Sequence, residues 1–192
     1  NPVNGDIYLT YNDKGSDNAN IFFTMSSTSG ATWTTPVRMN NDATSNDQVM
    51  PSIAVTPDGS ALCLTWYDRR NDINNSLLDR YGVIGTISGH SIAFGANFRI
   101  STQSFPVVVN VDPVLTSDYM GDYDQMAADT SAFYPTWGDN RNRNHADSRY
   151  QADVRFAKIP VAGPGPILSL VSSAFYGGNN NGCWGGGGGG GR

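Results

Sequence analysis

Apolar residues recur at every second position in short runs, each closed by Gly, Asn, Asp or Pro. The runs "PSIAVT" (Pro51 to Thr56) and "ALCLTWYD" (Ala61 to Asp68) flank the turn signal Pro57-Asp58-Gly59. A period of two bounded by turn residues predicts antiparallel strands, and nowhere does a 3.6-residue period persist long enough for a helix. The reading is all-β.

The runs also resemble one another. "NGDIYLTYND" (Asn4 to Asp13), "DGSALCLTWYD" (Asp58 to Asp68) and "TSAFYPTWGD" (Thr130 to Asp139) each contain a turn and an alternating strand, then Thr, an aromatic residue, one variable position and Asp. Downstream, "WTTPVRMN" (Trp33 to Asn40) matches "FGANFRIS" (Phe94 to Ser101), while "IFFTMS", "YGVIGTIS" and "VRFAKI" fill the slot between. A repeat of roughly 50 residues built from four short strands is the signature of a propeller blade. An immunoglobulin-like sandwich would supply many strands without repeating one signature. The expected layout is a partial β-propeller over 1–160, with blades near 1–40, 51–102 and 119–160, about ten strands in all. The first blade lacks its first strand and the third its fourth, so the chain reads as an arc whose missing blades come from elsewhere. A linker is expected at 161–166, then the start of a second β module and a Gly-rich tail over 167–192.

Composition narrows the function classes. Lys occurs only at 14 and 158, Glu is absent, and all seventeen acids are Asp, which removes two of the best surface helix formers. A net charge of −5 argues against nucleic acid or an anionic membrane as partner. No apolar run approaches the roughly 18 residues that span a bilayer. Cys63 and Cys183 form neither a disulfide framework nor a zinc pattern, and His90 and His145 stand isolated in polar loops. Calcium is an open possibility at "NDKGSDNAN" (Asn12 to Asn20) and "YDRRNDINN" (Tyr67 to Asn75), although neither has EF-hand spacing; otherwise no cofactor is expected.

"SSTSGATW" (Ser26 to Trp33) resembles the Asp-box of the bacterial neuraminidase repeat, Ser-x-Asp-x-Gly-x-Thr-Trp, with Thr28 at the Asp position; "SGHSIAF" (Ser88 to Phe94) is a weaker copy. With "MPSIAVTPDGSALCLTWYDRRND" and "YMGDYDQMAADTSAFYPTWGDNR", the chain is similar to sialidase-like proteins over residues 1 to 160. The resemblance implies a six-bladed propeller, a secreted, extracellular protein and a glycan partner. Family members that cleave sialic acid use an arginine triad, a Tyr activated by Glu and an Asp acid/base. Without Glu, the activated nucleophile is incomplete here, since a lone Tyr with a pKa near 10 is a poor nucleophile.

Blade topology places "YDRRND", "GDNRNR" and "MGDYDQ" (Met120 to Gln125) on one rim, opposite the Asp-box and the Pro-Asp-Gly turn. Three readings of this rim stand. As an enzyme, Arg70 and Arg141 clamp a carboxylate, Asp122 or Asp124 is the acid/base, and Tyr123 is the nucleophile. As a binding surface, Arg69, Arg70, Asp72, Arg141 and Arg143 hold a glycan without chemistry. As architecture, the strand-end Asp residues accept backbone N–H groups and Arg–Asp pairs pin neighbouring blades. Asp13, Asp68 and Asp139 recur in every repeat, which favours the third reading for them.

Overall fold

A computed structural model describes residues 1–15, 18–107, 124–143, 148, 150–163 and 169–171. The described residues are all-β and form three antiparallel sheets. In the first, β1 (Ile7–Asp13), β2 (Asn20–Ser26) and β3 (Val37–Arg38) follow in chain order. The second runs β4 (Gln48–Val55), β5 (Ala61–Asp68), β6 (Leu77–Ser88) and β7 (Ser91–Phe94), with β8 (Phe98–Arg99) and β9 (Phe105–Pro106) also on β6. At 12 residues β6 is long enough to pair with all three short segments in turn, so there are more strands than the ten expected. The third contains β10 (Met126–Ala128), β11 (Ala132–Arg143), β12 (Tyr150–Ala157), β13 (Ile159–Pro160) and β14 (Ser169–Val171).

Register makes the repeat exact at the level of backbone pairing. Tyr11 faces Phe22, Trp66 faces Tyr81 and Trp137 faces Arg155; on the other side of those partners stand Arg38, Arg99 and Val171. Ser169–Val171 therefore occupies the fourth-strand position of the third sheet. The edge of β12 supplies N–H and C=O groups that this extended segment satisfies, while most of the stretch where a second module was expected, 167–192, lies outside the described residues. The Gly-rich tail lies outside the described residues. The turn opening each repeat is also shared. Asn4, Asp58 and Asp129 each accept a backbone N–H two residues on, from Asp6 (3.0 Å), Ser60 (3.1 Å) and Ser131 (2.6 Å). In the second repeat the following Gly59 has φ +68°, and a Cβ there would meet Asn1 Oδ1 at 2.5 Å.

The middle sheet is covered on both faces, which is why β5 reads as a continuous apolar run and is buried at all eight positions. Its even-numbered residues Leu62, Leu64 and Trp66 pack with Ile21, Phe23 and Met25 of the first sheet. On the opposite face, Ala61, Cys63 and Tyr67 pack with Phe133, Trp137 and Ile159 of the third. Two seams result, and both end at the loops that carry the candidate site.

Candidate functional site

At the end of β5 the Asp68 carboxylate is buried and takes three donors: the Trp66 indole N–H at 2.8 Å, the Arg70 backbone N–H at 2.8 Å and the Arg70 guanidinium at 2.7 Å. Within β11, where the pairing register shifts after Asp139, the same construction recurs. Asp139 accepts the Trp137 indole at 3.4 Å, the Arg141 backbone N–H at 3.0 Å and Arg141 Nη2 at 2.6 Å, with Arg155 Nε at 3.4 Å. Burial pushes the Arg155 pKa down, although the Asp139 charge works against this. In the first repeat Asp13 is exposed and, among the described residues, keeps the backbone bond alone, from Gly15 at 3.1 Å. The shared element is thus an Asx turn, to which the second and third repeats add an indole and a guanidinium.

Each guanidinium also reaches back to the preceding sheet. Arg70 donates to Asn41 at 2.9 Å and lies over the Tyr81 ring at 4.2 Å. Arg141 donates to Thr102 at 2.6 Å. Asn41 and Thr102 hold the same position after the last strand of their repeats, so Trp-x-Asp-x-Arg forms one clasp used twice. Arg70 and Arg141 accordingly occupy separate seams, each held by an Asp of its own strand. These charge-assisted bonds are largely removed from water, where they hold geometry best.

The seam between the second and third sheets contains a further cluster. Arg80, fully buried on β6, donates to Asp124 Oδ2 at 2.8 Å and to Thr65 Oγ1 at 2.9 Å, and lies 4.8 Å over the Tyr67 ring. The Tyr67 hydroxyl lies 3.2 Å from Asp124 Oδ1 and 3.0 Å from the Gly138 carbonyl, and accepts the Gly138 N–H at 3.0 Å. Burial drives the Tyr67 pKa well above its ordinary value; Arg80 opposes the rise and Asp124 adds to it. The phenol stays protonated and the acid is bound to a cation. In this arrangement Tyr67 is a hydrogen-bonding strut between the two sheets and Asp124 is the counter-ion of Arg80.

The other expected residues are dispersed. Arg69 donates to the Asn75 carbonyl at 2.8 Å and stands 3.8 Å from Asp47. Asp72 closes its own loop by accepting the backbone N–H groups of Leu77 and Ser76, both at 2.8 Å, which hold its pKa well below the carboxylate range. Arg143 is exposed, donates to the Ser148 carbonyl at 2.8 Å and stacks over Tyr150 at 3.9 Å. Asp122 and Tyr123 lie outside the described residues, as does His145. His90 is not isolated: its Nδ1 lies 2.8 Å from the buried Asp6 carboxylate, tying the turn after β6 to the start of β1. Sequence reasoning passed over Tyr67 and Arg80. The available signal was a charge, Arg80, set inside an apolar alternating strand, where an unpaired cation would not be tolerated.

No known family matches the chain, and no curated protein shows significant similarity to it.

Proposed function

We propose that the three sheets are consecutive blades of a sialidase-type propeller and that the protein is a secreted glycan-recognition module rather than a hydrolase. The shared register and the repeated clasp support the propeller reading. So does the turn of "SSTSGATW": the Thr28 hydroxyl accepts the Thr32 backbone N–H at 2.9 Å, a bond open to an Asp carboxylate at that position, while Ser26 Oγ accepts from Gly30 at 2.9 Å.

The observation that carries recognition over hydrolysis is the pairing of three acids among the described residues of the rim. Asp68, Asp139 and Asp124 are each bound to an arginine, Tyr67 is held as a phenol, and the chain has no Glu to activate a nucleophile. Arg143 over Tyr150 remains exposed and offers a cation beside an aromatic face, a combination suited to an acidic sugar. Titrating sialyllactose into the chain by calorimetry tests this, alongside a fluorogenic sialoside assay. Saturable binding without turnover is expected, weakened about tenfold by Arg143→Ala, equivalent to about 1.4 kcal/mol. Turnover by the purified chain, or no binding at millimolar glycan, overturns the reading.

A further inference from the structure

We infer that Asn74 is the acceptor of an N-linked glycan, attached before the loop between β5 and β6 closes. The inference rests on the secreted half of the proposed function and is independent of recognition. The chain contains a single Asn-x-Ser/Thr triplet with a residue other than Pro in the middle, Asn74-Asn75-Ser76. Oligosaccharide is transferred at such triplets in secreted proteins, on loops that face solvent. This triplet sits at the tip of the loop that joins β5 to β6. Asn74 is exposed, its backbone N–H donates to Asp72 Oδ1 at 3.3 Å, and its side-chain amide has no hydrogen-bond partner among the described residues. Beside it Ile73 is 95% exposed, so the loop holds its tip out in water although that leaves an apolar side chain uncovered.

The residues on either side of the acceptor are fixed. Asn75 has φ +53°, a conformation Asn tolerates better than most residues, and exchanges two bonds with Asp47: its Nδ2 donates to Oδ2 at 2.7 Å and its Oδ1 accepts the backbone N–H at 2.8 Å. Ser76 gives both its hydroxyl and its N–H to Asp72 Oδ2, each at 2.8 Å. Asn46 holds the Asp72 carbonyl at 2.6 Å. These bonds set the order of events. The Ser76 hydroxyl, which a transferase must read to recognise the triplet, is spent on Asp72 once the loop has closed, and Asn75 cannot turn without leaving Asp47. Transfer therefore precedes closure, and the sugar afterwards stands in solvent without disturbing either anchor. The donor is an oligosaccharide on a lipid pyrophosphate: Asn74 Nδ2 forms the new bond to the anomeric carbon, the bond from that carbon to the pyrophosphate oxygen breaks, the lipid pyrophosphate leaves and the amide proton passes to solvent.

Passage of the full chain through the secretory pathway of cultured eukaryotic cells, behind a cleavable leader, tests this by mass spectrometry. One glycan is expected, located at Asn74, released by peptide-N-glycosidase, and absent from both Asn74→Gln and Ser76→Ala. Secreted chain without sugar at Asn74 overturns the proposal. Where no chain is secreted, a purified oligosaccharyltransferase with a dolichyl-pyrophosphate oligosaccharide decides: chain diluted from urea into the reaction should be modified at Asn74 about tenfold faster than native chain, because the closed loop must first open. No product from the unfolded chain, or equal rates for the two, overturns the proposal. Asn74→Gln should bind sialyllactose as the unaltered chain does, so failure of glycan attachment is distinguishable from failure of the recognition reading.

Discussion

The two seams on either side of the middle sheet share a plan at the rim and differ in what lies inside. Between the first and second sheets, β1 contributes Asn12, whose Oδ1 accepts the Met50 backbone N–H at 3.3 Å. Between the second and third, the equivalent residue is Tyr67, and it joins Arg80 and Asp124 in a buried ion pair. Both seams have the Trp-x-Asp-x-Arg clasp at the rim. What repeats is the means of holding sheet to sheet; what does not repeat marks the seam that has acquired a polar interior. The lesson for reading such a chain is that a recurrent acid belongs to construction, while an unrepeated charge inside a strand points to a local specialisation.

The comparison breaks most visibly at the clasp. Asp68→Ala leaves the Trp66 indole and the Arg70 guanidinium without their carboxylate in a buried setting, and a loss of about 4 kcal/mol is expected in urea denaturation. Asp13→Ala removes only an exposed Asx bond and should change stability by about 0.5 kcal/mol. Equal losses at the two positions would show that the acid's role does not depend on the added indole and guanidinium.

A somewhat smaller effect separates the two seams. Asp124→Ala strands the Arg80 charge and should cost about 3 kcal/mol, whereas the double substitution Arg80→Met with Asp124→Leu should recover most of that loss, since an apolar pair of similar size replaces a buried ion pair. A double-mutant cycle measures the coupling directly. Additive losses would mean that the pair does not stabilise the second seam as a unit.

The smallest effect is on acid stability. Burial alone would raise the Asp42 pKa, but hydrogen bonds from Asn40 and Thr44 and the charges of Arg70 and Arg38 outweigh it, so the net shift is downward. Asp47 is likewise lowered: burial raises it, and the Ala19 N–H, Asn75 and Arg69 more than offset that. For carboxyl groups depressed in the folded state, the stabilising contribution is whole above the unfolded value near 3.9 and is lost as pH falls through the folded value. Urea midpoints should hold steady from neutral pH to about 5 and decline below about 4. Asp42→Asn should flatten that decline; an unchanged slope would place the acid sensitivity elsewhere.

Much of the fold was legible because strand periodicity and turn chemistry are local. The Pro57-Asp58-Gly59 turn and the apolar run of β5 could be read in one pass, and the repeat of Asp13, Asp68 and Asp139 identified their common Asx role. Asp124 drew notice as a candidate, but its partners did not: Tyr67 is 57 positions away and Arg80 44. Nor could "LTWYDRRND" reveal that Arg70 folds back onto Asp68, because the outcome depends on Asn41 and Tyr81 waiting in the neighbouring elements.

The sequence by itself determined the all-β class, the repeat and the equivalence of its positions, since these depend on alternation and on side chains bonding their own backbone. Tertiary structure alone decided that β14 completes the third sheet, that Arg70 and Arg141 are bound into separate seams, and that Tyr67, Arg80 and Asp124 meet. The physical reason is the same in each case. Desolvation forces a buried charge or an open strand edge to find a partner, but which partner is within reach is set by how the sheets stack.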